Sequence, residues 1–200
     1  RAFGFCTAFA IDVKGILATN NHCLKGIQMS QKQGKRVLAR MNRNPSVAYE
    51  VVAYKGHPTY NSGPRFRFSN DVAMVKLDLK GATLPVATEL ATVEDVRSRL
   101  SQGQKIFTMG FPGAVMNETS PAADFRAATI ARITDFDTNV GSAASSRLVW
   151  HSALTSKGTS GSPIFNANGK VIAVNTGGLG TQAINKKDPV TGKLKKEFVY

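Results

Sequence analysis

Short runs of apolar residues, several alternating with polar ones, recur along the chain and are set apart by turns rich in Gly, Asn, Pro and Ser. A period of two predicts strands with one buried face. In the first half the pattern gives strands over residues 3–12 and 15–20, joined across Asp12-Val13-Lys14-Gly15, then over 35–41, 46–54 and 71–77. Val47, Tyr49 and Val51 carry the alternation in 46–54. Residues 56–70 read as a loop, and 81–88 as a linker crossing to the second half. There, Thr92 followed by Glu94 and Asp95, with Val93, Val96 and Leu100 at helical spacing, predicts one short helix ending before Gly103. Strands resume over 105–109, 125–134, 147–152, 163–166 and 170–175. Asn168-Gly169 between the last two is a hairpin signal.

The chemistry centres on Lys157-Gly158-Thr159-Ser160-Gly161-Ser162-Pro163. Gly158 and Gly161 flank Ser160, so the backbone can turn tightly, expose the hydroxyl and aim amide N–H groups at one point. A free hydroxyl is a weak nucleophile at neutral pH, so Ser160 needs a base. His22 stands directly after the apolar run 15–20, and Asp71 opens an apolar strand. A buried aspartate is costly unless something hydrogen-bonds it, and an imidazole N–H is a suitable donor. Each feature alone has a blander reading: a G-x-S-G turn is usually structural, and a lone His at a strand end is usually a satisfied polar residue. Three such segments in the order His22, Asp71, Ser160 outweigh those readings together. His57 and His151 have no better catalytic setting.

With the His22-Cys23 pair, the run from His57-Pro58 through Asn70-Asp71-Val72-Ala73-Met74-Val75-Lys76-Leu77, and the turn around Ser160, the sequence resembles the trypsin-fold serine proteases. The segments around His22 and from Gly161 to Gly178 are most similar to the bacterial branch of glutamyl endopeptidases and HtrA-type proteases. The resemblance implies an all-β fold of two packed six-stranded antiparallel barrels with one short linker helix. Residues 1–80 would form the barrel carrying His22 and Asp71, 81–104 the crossing linker, and 105–200 the barrel carrying Ser160. It further implies that His22 is general base and acid, that Asp71 orients it, that Ser160 attacks, and that the N–H groups of Gly158 and Ser160 form an oxyanion hole. A disulfide between Cys6 and Cys23 is expected from the same resemblance. The competing zinc reading has only a single Cys-His pair and no second ligand pair.

The family's pattern is not matched everywhere. Thr159 stands where trypsin has the aspartate that pairs with a newly cut N-terminus, so activation by that route is not expected. Leu154 stands where trypsin has a pocket-floor aspartate, so basic specificity lacks its carboxylate. Thr155 matches a threonine of the glutamyl endopeptidases, but Asn175 replaces their histidine. With Gly177 in the pocket wall, small or medium uncharged residues are expected before the cut, acidic ones next and basic ones last.

Composition adds bounds. Two hundred residues with 42% hydrophobic content can bury a substantial core. No apolar run is long enough to span a membrane as a helix, and the chain opens at Arg1 without a leader-like segment, as expected of a mature product or excised domain. A bridge between the two cysteines implies an oxidising compartment, hence secretion or the periplasm. The formal charge is +13, and Lys14, Lys25, Lys32, Lys35, Arg36, Arg40 and Arg43 fall in a segment without acids. Lys186, Lys187, Lys193, Lys195 and Lys196 form a second cluster. Neither has the interleaved aromatics of a nucleic-acid binder, so weak, salt-sensitive contact with polyanions is the expectation, with no specific nucleic acid. No cofactor or metal is called for; the substrate is a polypeptide. The rival class is a catalytically silent binding module on the same scaffold, using its basic face for an anionic partner; an esterase would share the chemistry. Asn117-Glu118-Thr119 is a glycosylation sequon, read as incidental.

Overall fold

The computed structural model describes residues 4–42, 44–60, 69–113, 121–141, 145, 147–177, 182–187 and 194–199. The sequon at Asn117, Arg43, Lys193 and the glycines after Gly177 lie outside them.

Two five-stranded antiparallel sheets carry the fold. The first comprises β1 (Phe9–Asp12), β2 (Ile16–Thr19), β3 (Leu38–Met41), β4 (Asn44–Gly56) and β5 (Ala73–Asp78), ordered β1-β2-β5-β4-β3. In β5, Ala73, Val75 and Leu77 are buried while Met74 faces out, the alternation expected of a strand with one face on a core. They join Leu17, Val37, Val51 and others in a continuous core. The second sheet comprises β6 (Lys105–Gly110), β7 (Asp124–Thr134), β8 (Leu148–His151), β9 (Pro163–Phe165) and β10 (Val171–Val174), ordered β10-β9-β6-β7-β8 around Ile106, Ile130, Ile164 and Ile172. Each sheet is curled, and together they make a two-barrel trypsin-like fold.

The expected six strands per barrel become five per sheet among the described residues. The last two strands, β11 (Gln182–Lys187) and β12 (Leu194–Val199), pair with each other as a hairpin instead of extending the second sheet.

Between the sheets, Phe9 and Ala18 from the first and Val171 from the second form a buried cluster, with Ile11, Phe165 and Val174 against it. Burying a Phe side chain this way contributes about 2 kcal/mol. The connecting segment is bonded to both: Leu84 and Thr88 N–H donate to the carbonyls of Val13 and Ala10, and Ala91 N–H to that of Val171.

A second helix corrects the expectation of one. The short helix α2 (Val93–Ser98) lies where predicted, with Thr92 and Asp95 forming a capping box. Before it in the chain, α1 (Asn21–Lys32) begins one residue after β2 and contains His22, where the sequence pattern predicts a strand end. Its sequence is mostly polar, with only Cys23, Leu24 and Ile27 buried, and Gly26 sits mid-helix. That glycine is there for packing, since a Cβ would lie 2.9 Å from the Phe5 ring. Cys23, Leu24 and Ile27 lie at helical spacing on one narrow face and, Gly26 aside, the rest of the helix is polar or exposed.

Candidate active site

The register of β2 against β5 pairs Thr19 with Ala73. His22, three residues beyond Thr19, and Asp71, two before Ala73, therefore emerge at the same end of the sheet. His22 Nδ1 lies 2.6 Å from Asp71 Oδ2, and the His22 backbone N–H donates to Asp71 Oδ1 at 2.8 Å. That N–H belongs to the first turn of α1, which has no intrahelical acceptor, so the carboxylate satisfies an orphan donor and sits at the positive end of the helix. Asn20, the residue before the helix, donates its side-chain amide to the Asp71 carbonyl at 2.8 Å. Thr176 Oγ1 makes a third contact to the carboxylate, on Oδ2. Burial pushes the Asp71 carboxyl up, but the hydrogen bonds from His22 and Thr176 and the nearby imidazole outweigh it and hold Asp71 below its ordinary 3.8.

Ser160 lies on the turn before β9, which four carbonyl contacts hold. Gly113 N–H donates to the Lys157 carbonyl at 2.8 Å, and Thr7 Oγ1 to that of Gly158 at 2.8 Å. Asn175 Nδ2 donates to the Thr159 carbonyl at 2.9 Å, and Thr7 N–H to that of Ser160 at 2.8 Å. In a trans peptide the C=O and the following N–H point opposite ways, so tying back the carbonyls of Lys157 and Thr159 turns the N–H groups of Gly158 and Ser160 the other way. Neither donates to an acceptor among the described residues. Glycine is required on both sides: Gly158 (φ +98°) and Gly161 (φ +87°) adopt left-handed conformations, and a Cβ would come within 2.3 Å of the Phe111 carbonyl and 2.1 Å of the Thr7 carbonyl respectively.

A cleft of about 470 Å³ is lined by His22, Gly158 and Ser160 together with Phe5, Gly113 and Lys157. It also touches Cys6 and Cys23, which are joined in a disulfide with Cα atoms 6.2 Å apart, anchoring the segment that carries Thr7 to the first turn of α1. Cys6, His22 and Cys23 cluster within metal-ligating reach, but sulfurs bonded to one another leave no thiolate for a metal.

Burial differs among the four residues expected to line a specificity pocket. Leu154 is 78% exposed, so it is no pocket floor: the segment after β8 turns it outward. Thr155 is half-buried and Gly177 exposed. Asn175 is 3% exposed, and its amide is already engaged. Three contributors escaped sequence reasoning. Thr7 bonds residues more than a hundred positions away, which no local pattern signals. Thr176 had a weak signal as the residue next to Asn175 at a strand end. His151 ends β8, with Nε2 3.2 Å from Asn175 Oδ1 and Nδ1 accepting from Ala153 N–H at 3.2 Å. Burial lowers its pKa below 6.5, opposed by the Asn175 contact.

The sequence profile described as a trypsin-like peptidase domain matches residues 6–174, a span holding His22, Asp71 and Ser160. The chain belongs to that family. A search of curated protein sequences finds no match. Among solved structures, the trypsin-like chain is similar to a crystal structure of Deg5 (TM-score 0.59, 20% identity, 85% of this chain and 72% of that one). It is also similar to a Glu endopeptidase in complex with MPD (TM-score 0.60, 19% identity, 88% of this chain and 77% of that one). At such identities the likeness is one of fold.

Proposed function

We propose that this trypsin-like domain is a serine endopeptidase working through an acyl-enzyme, with His22, Asp71 and Ser160 as its triad. The observation that carries the reading is the convergence in one cleft of an aspartate-held imidazole and a serine on a turn whose Gly158 and Ser160 N–H groups meet no acceptor among the described residues. Asp71 holds a proton on His22 Nδ1, which leaves Nε2 as the base. As Ser160 Oγ attacks the peptide carbonyl, its proton passes to Nε2, and the carbonyl oxygen takes the negative charge against the two N–H groups. His22 returns that proton to the leaving amine, giving an acyl-Ser160 ester and a free amino terminus. Water, deprotonated by the same imidazole, then hydrolyses the ester and regenerates Ser160. Each oxyanion donor is worth roughly 3 to 4 kcal/mol in such sites.

With Leu154 turned outward and Asn175 committed, small or medium uncharged side chains remain the expected preference before the cut. The disulfide supports residence in an oxidising compartment, secreted or periplasmic. Lys25, Lys32, Lys35, Arg36 and Arg40 are all exposed, which supports weak polyanion contact on that face.

Hydrolysis of a diverse peptide mixture, with product sequencing, tests the reading. Wild-type protein should cleave, and Ser160→Ala and His22→Ala should each lose several orders of magnitude while remaining folded. Near-normal turnover by Ser160→Ala would overturn the mechanism.

A further inference from the structure

The geometry points to Asn175 and His151 as a positioning pair that fixes the peptide between Thr159 and Ser160, and so aims the Ser160 N–H at the oxyanion. This deepens the peptidase reading and rests on it.

The proton arrangement follows from chemistry. The Thr159 carbonyl can only accept, so the Asn175 group 2.9 Å away must be the NH2 end of the amide. Oδ1 then faces His151 Nε2 at 3.2 Å, which must carry a proton. His151 Nδ1 accepts the Ala153 N–H, so that nitrogen carries none. One neutral imidazole tautomer satisfies every group, and it settles which way the buried amide points. A flipped amide would set Oδ1 against the Thr159 carbonyl and two donors against each other at His151.

The backbone of Asn175 reinforces the placement. Its carbonyl accepts from Gly161 N–H and its N–H donates to the Ser162 carbonyl, each at 2.8 Å, so the residue brackets Ser160 from behind. The Ser162 N–H also donates to the Thr159 carbonyl, at 3.1 Å. Asn175 therefore supplies the side-chain half of a two-donor grip on that oxygen. Such a grip acts on the transition state more than on substrate binding, because the N–H it aims meets charge only once the tetrahedral intermediate forms. It also separates Asn175 from a pocket wall, where substitution would change KM and the preferred side chain.

The test is steady-state kinetics on two peptides differing in the residue before the cut, with thermal melts to confirm folding. Asn175→Asp keeps the shape and still accepts from His151, but it cannot donate to Thr159; kcat should fall about tenfold or more, with KM within about threefold on both peptides. His151→Ala should lose activity in the same way. His151→Gln, whose amide restores a donor near Nε2, should recover to within about threefold of wild type. Wild-type kcat in Asn175→Asp, or a loss confined to KM and dependent on the peptide, overturns the inference. If Asn175→Asp does not fold, the His151 variants decide: equal losses in His151→Ala and His151→Gln overturn it. A wild-type protein that does not react with a fluorophosphonate overturns the peptidase reading, and this inference with it.

Discussion

Asp71 is 4% exposed yet ionised, because His22, its backbone N–H and Thr176 surround the carboxylate. Its folded-state pKa lies below the unfolded value, so the stability it contributes is complete above about pH 4 and is lost as pH falls through the folded value. Acid titration of the fold should show this loss, and Asp71→Asn should abolish it while lowering kcat about 10⁴-fold through the wrong imidazole tautomer. Thr176→Val removes one of the donors; the acid transition should move to higher pH, and an unchanged titration would contradict the contact. His151 has the same sign from another cause. Burial favours its neutral form, so stability should decline as pH drops below about 6.5 towards the lower folded value, and His151→Gln should flatten that region of the curve.

Among the elements, the disulfide braces the segment around Thr7 to the start of α1, close to His22. Its 17-residue separation corresponds to about 3 kcal/mol of stabilisation in the chain-entropy model. Reduction should therefore lower the melting temperature and, by loosening the two Thr7 hydrogen bonds to the Ser160 turn, reduce activity before global unfolding; unchanged activity in reduced, folded protein would contradict the brace. The strands were legible because their apolar spacing is local: β5, β6, β9 and β10 fall within or close to the predicted ranges. The helix α1 was legible only in the helical spacing of Cys23, Leu24 and Ile27, a short signal that the apolar run leading into Asn20-Asn21-His22 obscures. The proposed triad positions could be marked from flanking glycines and apolar runs, whereas Thr7, Thr176 and His151 act through contacts that only the folded chain creates. Leu154 illustrates the converse, because spacing from the serine assigned it a pocket but not the direction of its side chain.

Across the whole molecule, two sheets meet over Phe9, Ala18 and Val171, and the cleft combines His22 from one with Ser160 from the other. Activity should therefore depend on both halves being docked, and Val171→Ala should cost roughly 1 to 3 kcal/mol of stability in a chemical denaturation curve. The charge of +13 acts at the same scale. Retention on a heparin-type column should fall steeply with salt, as counterion release requires, and replacing Lys32, Lys35 and Arg36 with Gln should weaken it. No retention at about physiological ionic strength would remove the polyanion contact. The central claim, that the cleft activates Ser160, is tested most directly by treating the purified protein with a fluorophosphonate and mapping the adduct by mass spectrometry. One adduct on Ser160, absent in Ser160→Ala and strongly slowed in His22→Ala, is the predicted result; a folded wild-type protein that stays unmodified, or is labelled elsewhere, would contradict it.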